Sequence, residues 1–163
     1  AISPYNAFQF NLGLETLHVR MKEHIANTKK IVAYLKNHPG VKWVLHPDEP
    51  DHPNHELAKK YLPKGAGSVV VFGIEGGREA GAKLIDNIEL WSHVANVGDA
   101  KSLIIHPAST THQQLSVEDL KKSGVTEDLV RLSIGIENAD DLIEELESAL
   151  AIATGKTSVT TVS

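Results

Sequence analysis

One arginine lies within an otherwise apolar stretch of this chain. The sequence LVRLSI alternates in character and predicts a β-strand over 129–134, with Arg131 inside it. A guanidinium at such a place needs an anion, because an unpaired buried charge is costly. Arg131 is therefore a candidate to clamp a ligand carboxylate through two parallel hydrogen bonds. The alternative is a structural salt bridge to Asp99, Glu118 or Glu137.

Polar side chains crowd the segment 92–112, around short strands predicted near 92–96 and at 102–106. Hydroxyl, amide and imidazole groups so close to buried strands need hydrogen-bond partners, so this segment is a candidate for binding a polar ligand. The alternative is that residues 109–111 satisfy backbone groups in a turn. The polar side chains belong to Asn96, Asp99, Lys101, Ser102, His106, Ser109, Thr110, Thr111 and His112.

Three histidines, His46, His52 and His55, fall in a proline-rich stretch and could bind zinc or nickel. The prolines interrupt regular structure there, so the histidines lack the helical or hairpin spacing that metal sites usually use. The sequence therefore predicts a solvated surface loop. Cysteine is absent, which excludes disulfides, thiolate zinc sites, iron–sulfur clusters and cysteine nucleophiles.

Glycine-rich phosphate-binding motifs are missing. Gly65 and Gly67 are followed by Val70 where a dinucleotide-binding fingerprint requires a third glycine. Gly155 begins a Gly-Lys-Thr sequence, but Leu150 stands where a phosphate loop requires its first glycine.

The composition is that of one globular domain, with 163 residues, 41% hydrophobic and 23% charged. A chain of this length can bury a real core. Lys and Arg number 16 against 21 Asp and Glu, a net charge of −5, so nucleic acid is excluded as a partner. The longest apolar runs, 69–72 and 103–105, are far shorter than the ~20 residues of a membrane span, so no membrane association is predicted.

Helices and strands alternate along the chain, which predicts an α/β fold. Strands are expected at 41–45, 68–74, 102–106 and 129–134. One long helix is expected over 3–37, with Ser3 as N-cap and a bend at Gly13; at ~1.5 Å per residue it is too long for the domain, so part of it must project. Further helices are expected from about 80, from the Ser116–Asp119 capping box to 124, and after Asn138.

Specific runs of this sequence resemble a known enzyme family. Residues 92–112, SHVANVGDAKSLIIHPASTTH, closely resemble the C-terminal domain of O-acetylhomoserine sulfhydrylases, which belong to the pyridoxal-phosphate-dependent Cys/Met metabolism family. SPYNAF at 3–8, the stretch 13–20 and LVRLSIGIE at 129–137 match that family in the same order. The resemblance covers about residues 3–152.

The resemblance implies the C-terminal domain of a fold type I pyridoxal-phosphate-dependent transferase. Such a domain has a small, mostly antiparallel sheet, helices mainly on one face and a long N-terminal helix. Residues 1–153 would form this substrate-carboxylate-binding domain of a larger enzyme, and residues 154–163 a flexible tail.

Site residues follow from the matching positions. Arg131 lies where the family places the arginine that grips the substrate α-carboxylate. Asn96, with Val97 beside it, lies where related enzymes commonly have a serine that helps hold the carboxylate and the catalytic lysine. Asparagine there favours the sulfhydrylase branch over cystathionine γ-synthases or γ-lyases. No catalytic, cofactor-binding or metal-binding residue is expected in this chain.

The whole enzyme would use pyridoxal 5'-phosphate to replace the acetate of O-acetylhomoserine by sulfide or methanethiol, giving homocysteine or methionine. In the family the cofactor-binding residues lie upstream of this domain, so we expect a fragment that is inert alone. Its partner would be the N-terminal cofactor-binding domain, in a cytoplasmic homotetramer. Two alternatives are a non-catalytic assembly domain and a histidine-loop metal-binding module.

Overall fold

A four-stranded antiparallel sheet forms the centre of the structure, a computed structural model that describes residues 1–110 and 124–158. The strands lie in the order β1-β2-β4-β3, and each neighbouring pair is antiparallel. This confirms the predicted small antiparallel sheet. The strands are β1 (Val41–Leu45), β2 (Val69–Ile74), β3 (Leu103–Ile105) and β4 (Leu129–Ser133).

Helices cover one face of this sheet. Alternate residues of β2 and β4, among them Phe72 and Leu132, join one hydrophobic cluster with side chains of the second, fourth and fifth helices. Because successive strand residues point to opposite faces, the other face carries the remaining alternate side chains and includes Arg131. The helices are α1 (Pro4–Glu15), α2 (Leu17–Asn37), α3 (His55–Tyr61), α4 (Gly77–Asp86) and α5 (Ala139–Thr154), with a 3₁₀ turn at Pro107–Ser109.

The N-terminal helix is interrupted, at a different residue from the predicted one. Ser3 caps it as expected, accepting from the backbone N–H of Asn6 at 3.2 Å. The helical path breaks at Thr16 (φ −105°, ψ 4°), whereas Gly13 lies inside α1, so the predicted bend at Gly13 is wrong. Arg20 replaces lost backbone bonds by donating to the Gly13 carbonyl at 2.9 Å. No residue of α1 is buried, so this helix projects from the domain as predicted.

Two local predictions are wrong. The segment 92–96 forms no strand: Ser92 makes an isolated parallel bridge to Leu103, and the residues after it form a loop. The histidine-rich stretch is not all loop, because α3 begins at His55. The helix predicted from Ser116 lies outside the described residues.

The last helix begins where the sequence predicts. The Asn138 side chain accepts from the backbone N–H of Asp140 at 2.9 Å and caps α5. Part of the predicted tail lies against this helix, since Ser158 donates its backbone N–H to Glu147 at 2.7 Å. Residues 159–163 lie outside the described residues, and the division at residue 153 stays a prediction.

Candidate functional site: a guanidinium on the open face of the sheet

Arg131 stands at the middle of the sheet face opposite the helices that form the described core. It lies on the inner strand β4, with Val71 of β2 and Ile105 of β3 as its direct cross-strand neighbours. Val130 and Leu132, the residues on either side of it in sequence, are fully buried in the core. Arg131 itself is partly exposed. The sheet therefore presents a cation between two apolar side chains to whatever covers this face.

A backbone carbonyl holds the arginine. Its Nη2 donates to the carbonyl oxygen of Asn96 at 3.3 Å. Within the described residues, none of the ion pairs closer than 4.0 Å involves Arg131. Asp99 instead accepts from the Lys101 backbone N–H at 3.1 Å, and Glu137 binds Ser102. A salt bridge to Asp99 or Glu137 is thus not formed, and Glu118 lies outside the described residues.

Asn96 approaches Arg131 with its backbone and not with its side-chain amide. Its Oδ1 accepts from the backbone N–H of Val97 at 2.9 Å. Val97 follows and is 63% exposed. The structure thus brings two of the three predicted substrate-binding residues into contact and leaves the third at the surface beside them.

A partly buried hydrogen-bond network near this site could not be found from the sequence. The Glu137 carboxylate accepts from the Ser102 backbone N–H at 2.7 Å and from the Ser102 hydroxyl at 2.8 Å. The same hydroxyl accepts from the backbone N–H of Gly135 at 2.8 Å. The available signal was weak: a serine directly before an apolar strand and a glutamate shortly after another one.

Part of the polar segment serves the fold alone. His106 is fully buried, and its ring nitrogens lie 2.8 Å from the Ser109 hydroxyl and 2.8 Å from the Glu127 carbonyl. Burial lowers the pKa of the His106 imidazole below its ordinary value. Ser109 and Thr110 both donate to the His106 carbonyl, as the structural alternative predicted. Thr111 and His112 lie outside the described residues.

The histidine-rich stretch does not assemble a metal site in the part of the chain that the structure describes. No group of three or more His, Asp or Glu side chains is placed there to hold an ion. Each of the three histidine Nδ1 atoms instead meets a nearby backbone group. The predicted solvated loop is wrong for His46, which is 2% exposed. Asp48 nearby ties this stretch to the segment before β2 by accepting from the Ala66 backbone N–H at 3.1 Å.

Comparison with known proteins places this arrangement in a family. A family profile described as Cys/Met metabolism PLP-dependent enzyme matches residues 1–151. The chain is 50% identical over 151 residues to an O-acetyl-L-homoserine sulfhydrylase of Leptospira meyeri, covering 92% of this chain and 34% of that protein. It is 48% identical over 154 residues to a sulfhydrylase of Fusarium oxysporum, covering 94% and 36%.

A solved structure is similar as well. The crystal structure of an O-acetylhomoserine (thiol)-lyase from Campylobacter jejuni, which carries a pyridoxyl-lysine monophosphate, superposes with a TM-score of 0.84 at 44% identity. The match covers 92% of this chain and 36% of that one. The chain therefore belongs to the Cys/Met metabolism family of pyridoxal-phosphate-dependent enzymes. It spans about a third of the length of the relatives it matches.

The lysines of the described residues do not suit the cofactor of the family. A lysine that forms an imine with pyridoxal phosphate must be desolvated and held against the ring. Every lysine within 1–110 and 124–158 is exposed. None of the described lysines is therefore placed to form that imine. In the same ranges, no helix combines the length and apolar character needed to cross a membrane.

Proposed function

We propose that this chain is the C-terminal, substrate-carboxylate-binding part of an O-acetylhomoserine sulfhydrylase. The whole enzyme would replace the acetate of O-acetylhomoserine by sulfide or methanethiol, with pyridoxal 5'-phosphate held by polypeptide outside this chain. The observation that carries the proposal is Arg131, which stands on an open sheet face and is oriented by a carbonyl oxygen. We infer the class of reaction from the relatives that are named sulfhydrylases.

The role of this chain in that reaction is to bind and orient the amino acid. A guanidinium offers two parallel N–H donors to one carboxylate, so it fixes the direction of the substrate as well as its place. Val71 and Ile105 are the apolar cross-strand neighbours of Arg131 on this face. The Asn96 carbonyl occupies one donor of the guanidinium, and the others remain for a carboxylate. Orientation of this kind presents the correct bonds to the reacting centre.

The projecting helix α1 supports the proposal that another domain or subunit packs against this chain. Its apolar side chains are half or more exposed: Tyr5 68%, Phe8 60%, Phe10 67%, Leu12 50% and Leu14 60%. A helix with apolar residues on all sides is stable when something buries them. We assign this surface to the N-terminal cofactor-binding domain, within a homotetramer that works in the cytoplasm, as the family resemblance implies.

The test uses the complete gene product that contains these residues. Arg131→Ala should lower kcat/KM for O-acetylhomoserine by about 30-fold to several thousand-fold, the equivalent of losing roughly 2–5 kcal/mol of charge-assisted binding. Arg131→Lys should recover little, because lysine cannot make the two parallel bonds. Arg78→Ala, which removes an exposed arginine from α4 on the opposite side of the sheet, is the matched control and should change neither kcat nor KM.

The product distinguishes the proposed reaction from its neighbours in the family. With sulfide the enzyme should form homocysteine, and with methanethiol methionine. Formation of cystathionine from cysteine, or breakdown of methionine in the absence of a thiol acceptor, would assign the chain to another branch. Near-normal kcat/KM in Arg131→Ala would show that this arginine does not bind the substrate.

A further inference from the structure

The position of the Arg131 guanidinium depends on a loop. Its described hydrogen bond goes to the Asn96 carbonyl, which lies in residues 93–101, here called the carbonyl loop. Most side chains of this loop are exposed, and two of its hydrogen bonds join near neighbours: Val97 N–H to Asn96, and Lys101 N–H to Asp99. Such bonds shape the loop but do not tie it to the sheet. Something else must place it.

A hydrogen-bonded clasp fixes the C-terminal end of the carbonyl loop. The clasp consists of Ser102, Gly135 and Glu137. Ser102 is fully buried; it donates twice to Glu137, at 2.7 and 2.8 Å, and accepts from the Gly135 N–H at 2.8 Å. The Ile136 N–H donates to the Ala100 carbonyl at 2.9 Å beside it. The loop end and the segment after β4 are thereby joined side by side.

Helix α2 anchors the clasp in the core. Asn27, 2% exposed, donates from Nδ2 to the carbonyls of Gly135 at 3.2 Å and Glu137 at 2.8 Å. His24, 1% exposed, places Nδ1 2.6 Å from the Ile134 carbonyl. A continuous set of hydrogen bonds, buried at α2 and partly buried at Glu137, thus runs from α2 through the clasp to the end of the loop that holds Arg131. Buried networks of this kind specify one geometry, because an unmet partner is costly.

We propose that Ser102 and Glu137 are positioning residues for the substrate carboxylate. They fix the carbonyl loop, so that the Asn96 carbonyl orients the Arg131 guanidinium before substrate arrives. This inference rests on the proposed function, since it concerns the carboxylate that Arg131 binds. Neither residue touches the ligand. Their loss therefore weakens recognition of the carboxylate and leaves recognition of the rest of the substrate intact.

Two ligands that differ only by the carboxylate test this. L-Homoserine and aminopropanol, its decarboxylated counterpart, are measured as inhibitors of the complete gene product carrying Glu137→Gln or Ser102→Ala. Each substitution should weaken inhibition by homoserine about tenfold, since small misplacements of a positioning group are costly, and leave inhibition by aminopropanol unchanged. KM for O-acetylhomoserine should rise more than kcat falls.

Glu147→Gln is the matched control. Glu147 also accepts from a serine N–H and hydroxyl, those of Ser158, but it lies on α5 away from the carbonyl loop. Both ligands should inhibit this variant as strongly as they inhibit the wild type. In the double variant of Ser102 and Glu137, inhibition by homoserine should weaken about as much as in either single variant. Residues of one network do not act additively.

If Glu137→Gln or Ser102→Ala weakened inhibition by both ligands equally, the inference would be overturned. The clasp would then be a general structural element. If Glu137→Gln fails to fold, Ser102→Ala decides the question, since it keeps the bond from the backbone N–H to Glu137. Arg131→Ala separates the two proposals. Unchanged homoserine inhibition in that variant refutes the proposed function; weakened inhibition there, with no effect of either clasp substitution, refutes only this inference.

Discussion

Replacing Gly135 by alanine should destabilise the chain for a purely steric reason. A Cβ at this position would lie 2.4 Å from the Ala100 carbonyl oxygen and 2.4 Å from Glu137 Oε2, distances that real Cβ atoms do not adopt. Ala100 contributes rigid backbone, so the two segments must move apart by more than half an ångström. That movement stretches the Gly135–Ser102 and Ile136–Ala100 hydrogen bonds, now 2.8 and 2.9 Å long.

The size of the effect follows from these contacts. Forcing an extra methyl group into a packed site costs about 1–3 kcal/mol. Weakening a hydrogen bond costs about 0.5–1.5 kcal/mol. We therefore expect Gly135→Ala to lower the free energy of unfolding by about 2–4 kcal/mol, within the range of severe core substitutions.

Urea-induced unfolding of the 163-residue chain, followed by circular dichroism, measures this loss. Gly13→Ala is the matched control, because a Cβ there meets nothing within 4 Å and lies inside α1. Alanine is favoured over glycine in a helix by about 0.5–1 kcal/mol, so the control should lose no stability. A Gly135→Ala variant within about 0.5 kcal/mol of wild type, at an unchanged slope of free energy against urea, would refute the steric argument.

Three further substitutions should change stability. Leu132→Ala, at a fully buried site, should cost about 2–5 kcal/mol in urea unfolding. Burial raises the pKa of the Glu147 carboxyl, but hydrogen bonds from Ser158 and Tyr34 outweigh it, so the net pKa lies below its ordinary 4.5. Glu147→Gln should therefore destabilise the protein at pH 7, and the difference should vanish as pH falls below 4.5. His106→Gln should lower stability at pH 8 and remove part of the loss on acidification below pH 6.5.

Each of these three predictions has a result that would contradict it or a matched control. Burial lowers the folded-state pKa of His106, so the neutral ring is favoured and its contribution is lost as pH falls from 6.5 through that lowered pKa. An acid dependence unchanged by His106→Gln would contradict this. A Glu147→Gln deficit that grows on acidification would contradict the assignment of its hydrogen bonds. For Leu132→Ala, the exposed Leu57 gives the matched Leu57→Ala control, expected to change little.

The sheet could be predicted from sequence because its signal is local. Each strand carries apolar residues at the alternate positions that meet the core, and the predicted ranges agree with the observed ones within a residue or two. The apolar residues around Arg131 also indicated that its charge needs a polar partner. The sequence alone could not decide what meets the guanidinium, because its contact with Asn96 joins positions 35 apart.

The features that were misplaced or missed depend on side-chain contacts that no periodic pattern marks. Gly13 is the residue whose intrinsic preferences favour a bend, yet the helix breaks at Thr16, where Arg20 stabilises the exposed backbone. His46 lies in a proline-rich stretch typical of solvated loops, but it is buried, and Asp48 two residues later bonds to Ala66 across 18 positions of the chain. The clasp joins Ser102 to a glutamate 35 positions away, and no periodic pattern marks such a pair.

The place of β4 in the sheet has a consequence for synthesis. β4 lies between β2 and β3, so β3 has no strand to pair with until residues 129–133 exist. Val71 must find Arg131 across about 60 positions of chain, and closing a loop of that length carries an entropic cost before any contact stabilises it. On the ribosome the emerging chain can form only the β1–β2 pair, and isolated two-stranded sheets are marginal in water. Folding of this domain therefore waits until nearly all of it has left the exit tunnel, and it proceeds after translation of β4 and not strand by strand.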